Sequence, residues 1–330
     1  MSGTAAELGA ALRDFLAAHA KPVEAEPVWP RLRDELGLAG LLVPESHGGL
    51  GLGPAELVAV AAELGRAVVG GPFVPTAVAA ATALSTLDLP PGTAATLAHR
   101  PFAARRVRAS TMDGAVTLTG TVGPILAAPT GPLLVPADAG GTPVLCRVDA
   151  GATLTALPSL DLSRPGYRAE FRDTPATVLA EGDRAAEAVR RAELATWLAL
   201  GAECVGVAGH ALELTVEHAK TRHQFGRPIG AFQAMQHKLA DLTVTLEVAR
   251  SAAELAVRRG GDAAGAHTLA VKAAEAAVTI TTEAIQLHGG IGFTWEYPAH
   301  VLLRRAHAAA VLAGTPDQHR RALFALLDEE

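Results

Sequence analysis

The sequence predicts an α+β chain with helices at both ends and a small β domain between them. Three observations carry this. Apolar residues recur at helical spacing up to about residue 97. From 98 to 182 the chain breaks into short, partly alternating segments divided by Gly, Pro and Asp. From 183 to 330 it returns to long apolar helical runs. The domains expected are 1–97, helical; 98–182, a reduced antiparallel β domain; and 183–330, a C-terminal four-helix bundle.

In the first region Leu8, Leu12, Phe15 and Leu16 mark one helix, and Trp29 to Leu38 a second. Pro44 and the glycines from Gly48 to Gly53 form a loop. Pro54 then starts a helix through Glu56, Val60 and Leu64 that Gly70, Gly71 and Pro72 stop. An Ala-rich helix follows from Thr76 to Ser85. The strand segments are "AVTLTG", "GPLLVPAD", "TPVLCRVD" and "GYRAEFRD". In the last region Ala185 to Thr221 is apolar nearly all round, as a helix buried in a bundle or between subunits must be. Gly201, Gly206 and Gly209 leave room there for close helix contact. The next helix carries Phe232, Met235, Leu239, Leu242 and Leu246 on one face. Two more run from about Ala264 to His288 and from Pro298 to Leu312, and Gly314-Thr315-Pro316 opens another.

Apolar residues make up 49% and charged ones 19%, a globular balance, and with aromatics at 4% the core must be built from Ala, Leu and Val. The formal charge of −6 argues against nucleic acid as the main partner. Cys146 and Cys204 form neither a CxxC pair nor a disulfide framework, which fits a reducing cytoplasm. The amphipathic start, with Glu7, Arg13 and Asp14, is unlike a signal peptide, and no uninterrupted apolar run approaches the ~20 residues that span a bilayer. A cytoplasmic protein with no membrane span is expected. The 12 histidines show no metal-ligand spacing, and no metal site is expected. His300 and His307 share a helical face and read as satisfied or solvent-facing.

Two stretches carry chemistry. In "AKTRHQFGRPIGAFQAMQHKLADL", Arg222 and Arg227 flank Phe225 and Gly226 at a helical corner. The plain reading is a hairpin with solvated arginines. The functional one gives a phosphate the planar fork of Arg222 and a base the face of Phe225. In "AIQLHGGIGFTWEYP", Gly289, Gly290 and Gly292 open the backbone to an anion, and Gln286 can bond a heterocycle or phosphate oxygen. By itself a glycine turn ending a helix is commoner.

Taken with the loop "VPESHGGLGL" and the order helices, strands, bundle, these stretches make the chain resemble the acyl-CoA dehydrogenase family over nearly its whole length. The resemblance implies an acyl-CoA dehydrogenase-like fold and FAD bound between subunits. Arg222, Phe225, Gln286, Gly289 and Gly290 would then form the neighbour-facing half of the FAD site, holding pyrophosphate and adenosine. It also implies an acyl-CoA thioester substrate and an electron-transfer acceptor.

The chain departs from the family at the base. The usual glutamate, which removes the proton α to the thioester carbonyl, directly precedes the Gly-Thr of the last junction. Here Ala313 stands there. The alternative family position, on the first bundle helix, falls on Thr196. Glu193 and Glu203 lie near it, though no spacing selects either. The family's flavin-contacting Thr-Glu-Pro-x-Ala-Gly-Ser-Asp stretch is also missing before the strands. Arg105, Arg106 and Arg108 could meet the nucleotide of CoA, or simply be solvated.

Three readings follow. In the first, the chain is a subunit of a heteromeric acyl-CoA dehydrogenase, an α2β2 assembly acting on a bulky or steroid-derived acyl group. Its partner, a second family member, supplies flavin seat and base. In the second, it is a self-associating, self-sufficient flavoenzyme with Glu193 or Glu203 as a relocated base. In the third, it is a non-catalytic scaffold. The intact cradle residues weigh against the third, and Ala313 with the missing flavin-contacting stretch points to the first.

Overall fold

The computed structural model describes residues 3–20, 28–90, 95–98, 107–112, 114–129, 131–312 and 314–328. They group into two compact units. One comprises Met1–Ala25, Pro54–Val69 and Trp197–Glu330, the other Glu26–Gly53 and Gly70–Thr196. The first helix of the chain thus shares a unit with its last ones.

The first unit contains α1 (Gly3–His19); the second opens with the short α2 (Trp29–Asp34). That helix stops earlier than expected because Gly37 turns the chain at φ 64°. Helix α3 (Pro54–Arg66) belongs to the first unit. In the second, a π-helical stretch, Phe73–Ala80, leads into α4 (Ala81–Thr86). The strands follow: β1 (Thr96–Leu97), β2 (Val107–Met112), β3 (Ala115–Ile125), β4 (Leu133–Ala139), β5 (Thr142–Val148), β6 (Thr153–Leu157) and β7 (Gly166–Glu181).

Strands β4, β2, β3, β7 and β5 are neighbours in that order, and β5 pairs back with β4, so the sheet closes on itself. The long ladders are antiparallel. Two short contacts, β2 with β4 (Arg108 opposite Asp138) and β1 with β4, are parallel. A ring of five strands cannot alternate direction all the way round, so one neighbouring pair must run the same way. Strand β4 shows why "LLVPA" reads as a continuous apolar run. Leu133, Val135 and Ala137 join Leu118, Cys146 and Phe171 on one face. Leu134 packs on the other with Ala83, Leu84, Ala188 and Ala192. Successive side chains point to opposite faces, and here both are covered.

Helix α5 (Gly182–Thr221) gives its start, through Thr196, to the second unit and the rest to the first. It is long and apolar enough to cross a membrane by length and composition, contrary to the sequence expectation. However, 78% of its most apolar window is buried within the protein, as a central bundle helix requires. A two-residue-per-strand hairpin, β8 (His223–Gln224) and β9 (Arg227–Pro228), leads to α6 (Gln233–Arg258), α7 (Ala263–His288), α8 (Ala299–Leu312) and α9 (Pro316–Leu327). Asp262 caps α7 by accepting from Gly265 N at 2.8 Å. Thr315 and Gln318 cap α9 reciprocally, so the Gly314-Thr315 junction is a built helix start. His319 of α9 lies 2.8 Å from His267 of α7, ring nitrogen to ring nitrogen, and both are buried.

The glycines of α5 are not equivalent. A Cβ on Gly206 would lie 1.8 Å from the Ala62 carbonyl oxygen of α3, and one on Gly201 would lie 2.7 Å from Leu269 of α7. At Gly209 the nearest atom is Arg250 Nη2 at 3.6 Å. Gly206→Ala is therefore expected to destabilise the protein by about 3 kcal/mol, the upper range for overpacking against backbone. Gly209→Ala should gain up to about 1 kcal/mol from helix propensity. Urea unfolding of the two variants side by side checks this, and equal effects would refute the close α3–α5 crossing.

Candidate functional site

Helix α5 ends at Thr221, and the Arg222 N–H still reaches back to the His218 carbonyl at 2.9 Å. The chain then reverses through a tight hairpin whose tip, Phe225-Gly226, has positive φ at both positions, 54° and 77°. This is the backbone of a type I′ turn. Glycine takes it freely, whereas an aromatic residue in this region is strained. Phe225 is 92% exposed and meets Phe232 edge-on, with ring centroids 6.2 Å apart. A strained backbone that holds a bare aromatic ring in solvent gains nothing from it in the isolated chain. Arg227 is engaged, its guanidinium 4.0 Å above the Phe232 ring. Arg222 is exposed, and among the described residues it pairs with no carboxylate.

The second arm is the end of α7. Gln286 is exposed. Gly289, at φ 62°, closes the helix, its N–H donating to the Gln286 and Ile285 carbonyls. That N–H is committed within the chain, so Gly289 serves the turn rather than offering a free donor. Gly290 is exposed, and a Cβ there would meet nothing within 4 Å. Gly292 is packed, a Cβ there coming within 3.1 Å of His288 and the Ile285 carbonyl. Nearby, Phe293 and Trp295 are 66% and 67% exposed.

The two arms are held together by rings that sequence reasoning missed. His218, one turn before Arg222, stacks on His288, the residue before Gly289, with centroids 4.4 Å apart and planes at 30°. Tyr297 packs on His288 at 4.5 Å, and its hydroxyl donates to the Leu214 carbonyl of α5 at 3.4 Å. The His288 Nδ1–H donates to the Ala284 carbonyl at 2.6 Å. Burial, then His288 and Arg222, holds the His218 imidazole below its ordinary pKa; burial does the same to His288. The only sequence signal was position, each histidine flanking a motif residue.

The base candidates fare differently. Glu203 is buried, 3% exposed, and accepts from Arg305 Nη1 at 2.9 Å. Arg305 is wholly buried, and its Nη2 donates to the Val69 carbonyl at 2.9 Å. A carboxylate locked in such a pair is not free to take a proton from a substrate. Glu193 is half-buried and acts on Arg190. The Thr196 hydroxyl donates back to the Ala192 carbonyl at 2.7 Å. Ala313, Arg105 and Arg106 lie outside the described residues; Arg108 is exposed on β2. His300 is buried and His307 exposed, so the shared helical face does not give them one environment. Among the described residues no three His, Cys, Asp or Glu side chains converge as a metal site would need.

A free guanidinium, an exposed aromatic face, an open glycine and an exposed amide suit an adenosine–pyrophosphate. They fit that half of FAD.

Comparisons with known proteins identify the family. Residues 4–87 match the acyl-CoA dehydrogenase N-terminal domain model, and residues 196–325 match the C-terminal domain model. The chain is 34% identical to acyl-CoA dehydrogenase IpdE2 of Mycobacterium tuberculosis over 298 residues, covering 90% of this chain and 86% of the relative. It is 36% identical to acyl-CoA dehydrogenase FadE34 of the same organism, covering 88% of this chain but 41% of that protein. Among solved structures, the ChsE4–ChsE5 complex of M. tuberculosis superposes with a TM-score of 0.89 at 26% identity, covering 100% of this chain and 98% of that one. The Tcur3481–Tcur3483 steroid ACAD variant gives 0.85 at 28%, covering 99% and 98%. The chain belongs to the acyl-CoA dehydrogenase family.

Proposed function

We propose that this chain is one subunit of a heteromeric acyl-CoA dehydrogenase, contributing the adenosine–pyrophosphate side of a flavin site that a second family member completes. The family is FAD-dependent and oxidises acyl-CoA thioesters. The observation that carries the subunit role is the exposure of Arg222, Phe225, Gln286 and Gly290. A cradle presented outward on strained backbone suits a ligand seated on another chain. Ala313 offers no carboxylate, and Glu203 is locked in its ion pair, so the base comes from the partner. Bound FAD supplies the hydride acceptor for the α,β-desaturation. This chain's part is to hold the far end of the cofactor in place.

Two further points support the reading. The ChsE4–ChsE5 structure is a complex of two proteins, and the Tcur3481–Tcur3483 enzyme is described as a steroid ACAD. A bulky, steroid-derived acyl-CoA is therefore the proposed substrate class, with an electron-transfer partner reoxidising the flavin in the cytoplasm.

The test is co-expression with a second acyl-CoA dehydrogenase-family chain as partner, compared with this chain alone. Flavin absorbance and thioester oxidation are expected in the co-purified complex and not in the single chain. Stoichiometric flavin and turnover from this chain alone would favour a self-sufficient enzyme. Absence of flavin from both would leave a scaffold.

A further inference from the structure

The ring stack that joins the two arms of the cradle does more than pack. His218 stands one helical turn from Arg222 and therefore on the same side of α5. Its other neighbours are His288, stacked at 4.4 Å, and Tyr297, edge-on at 6.4 Å. The charged and titratable groups facing it are thus His288 from α7, Tyr297 from the segment before α8, and Arg222 just past the end of α5. Among the described residues no carboxylate stands with the groups that act on it. Burial, then His288 and Arg222, disfavours the imidazolium at His218.

We propose that His218 is the second, proton-dependent cation of the cradle: an anionic pyrophosphate at Arg222 draws a proton onto His218, which then stabilises the bound anion. The inference rests on the cradle reading above. Its logic is electrostatic. A negative group beside Arg222 offsets the guanidinium charge that disfavours imidazolium at His218 and adds an attraction of its own. One proton on a pair of stacked imidazoles is tolerable, because burial disfavours a second one on His288. The imidazole pKa is low in the free protein and rises in the complex. The affinity gain is therefore full below the free-state value and is lost as pH rises through the bound-state value.

The experiment uses the complex with its partner subunit, freed of flavin, and ADP-ribose, whose pyrophosphate diester does not itself titrate near neutrality. Calorimetry across the neutral and mildly acidic range measures affinity. Repeating it in buffers of different ionisation enthalpy counts protons taken up. Wild-type affinity is expected to rise on acidification by up to about tenfold per pH unit between the two pKa values, with proton uptake on binding. His218→Tyr keeps a ring against His288 and removes the titrating group, and its profile should be flat. His218→Gln is the second variant should tyrosine fail to fold. A flat wild-type profile, or a variant as steep as wild type, overturns the proposal. In either case loss of ADP-ribose binding in Arg222→Ala leaves the cradle reading standing. Failure of the flavin-free wild-type complex to bind ADP-ribose, or binding unchanged in Arg222→Ala, overturns both.

Discussion

Arg222→Ala is expected to empty the assembled enzyme of FAD while leaving the helical bundle folded. The guanidinium is exposed, and its side chain has no carboxylate partner among the described residues, so truncation breaks no contact that supports the fold. A charge-assisted pair with a pyrophosphate contributes about 2–3 kcal/mol, which is roughly a hundredfold in affinity. At ordinary cofactor concentrations that is enough to strip a site shared between two chains. Arg222→Lys should recover part of the loss, since lysine restores the charge but not the planar fork. The checks are flavin content of the purified complex and its melting temperature with flavin removed. Unchanged flavin content would mean that the pyrophosphate is held elsewhere. A lower melting temperature for the flavin-free complex would mean that Arg222 supports the fold instead.

The cradle was legible in the sequence because its chemistry is local. Arg222, Phe225 and Gly226 occupy a single turn, and Gln286, Gly289 and Gly290 another. What the sequence hid is what depends on contacts between distant segments. Nothing local says that Gly289 commits its N–H to closing α7, or that His218 and His288 stack across two helices. The closed sheet was hidden for the same reason. Strand β2 bears no clear apolar alternation, and its link to β4 is one residue pair. The helices of the bundle were legible because their apolar stripes repeat over many turns. The short α2 was cut by one glycine with positive φ, a choice that periodicity does not register.

Glu203 shows the same limit at the level of energetics, and it carries the largest stability effect. From sequence it is a glutamate on a helix, indistinguishable from one in solvent. In the fold its carboxylate meets Arg305 at 2.9 Å, with both side chains removed from water. Arg305→Ala is expected to destabilise the protein by about 3–5 kcal/mol, because it leaves the Glu203 charge buried without its counter-ion. Replacing both together, Glu203→Leu with Arg305→Met, should cost much less than the sum of the single changes, since no lone charge is left behind. Chemical unfolding of the single and double variants measures this coupling. The same variants separate the competing catalytic readings. A base at Glu203 would make Glu203→Gln inactive at every temperature where the complex is folded. A structural carboxylate leaves that variant active when cold and lost early on heating. The second outcome is expected, because the carboxylate is engaged by a fully buried arginine.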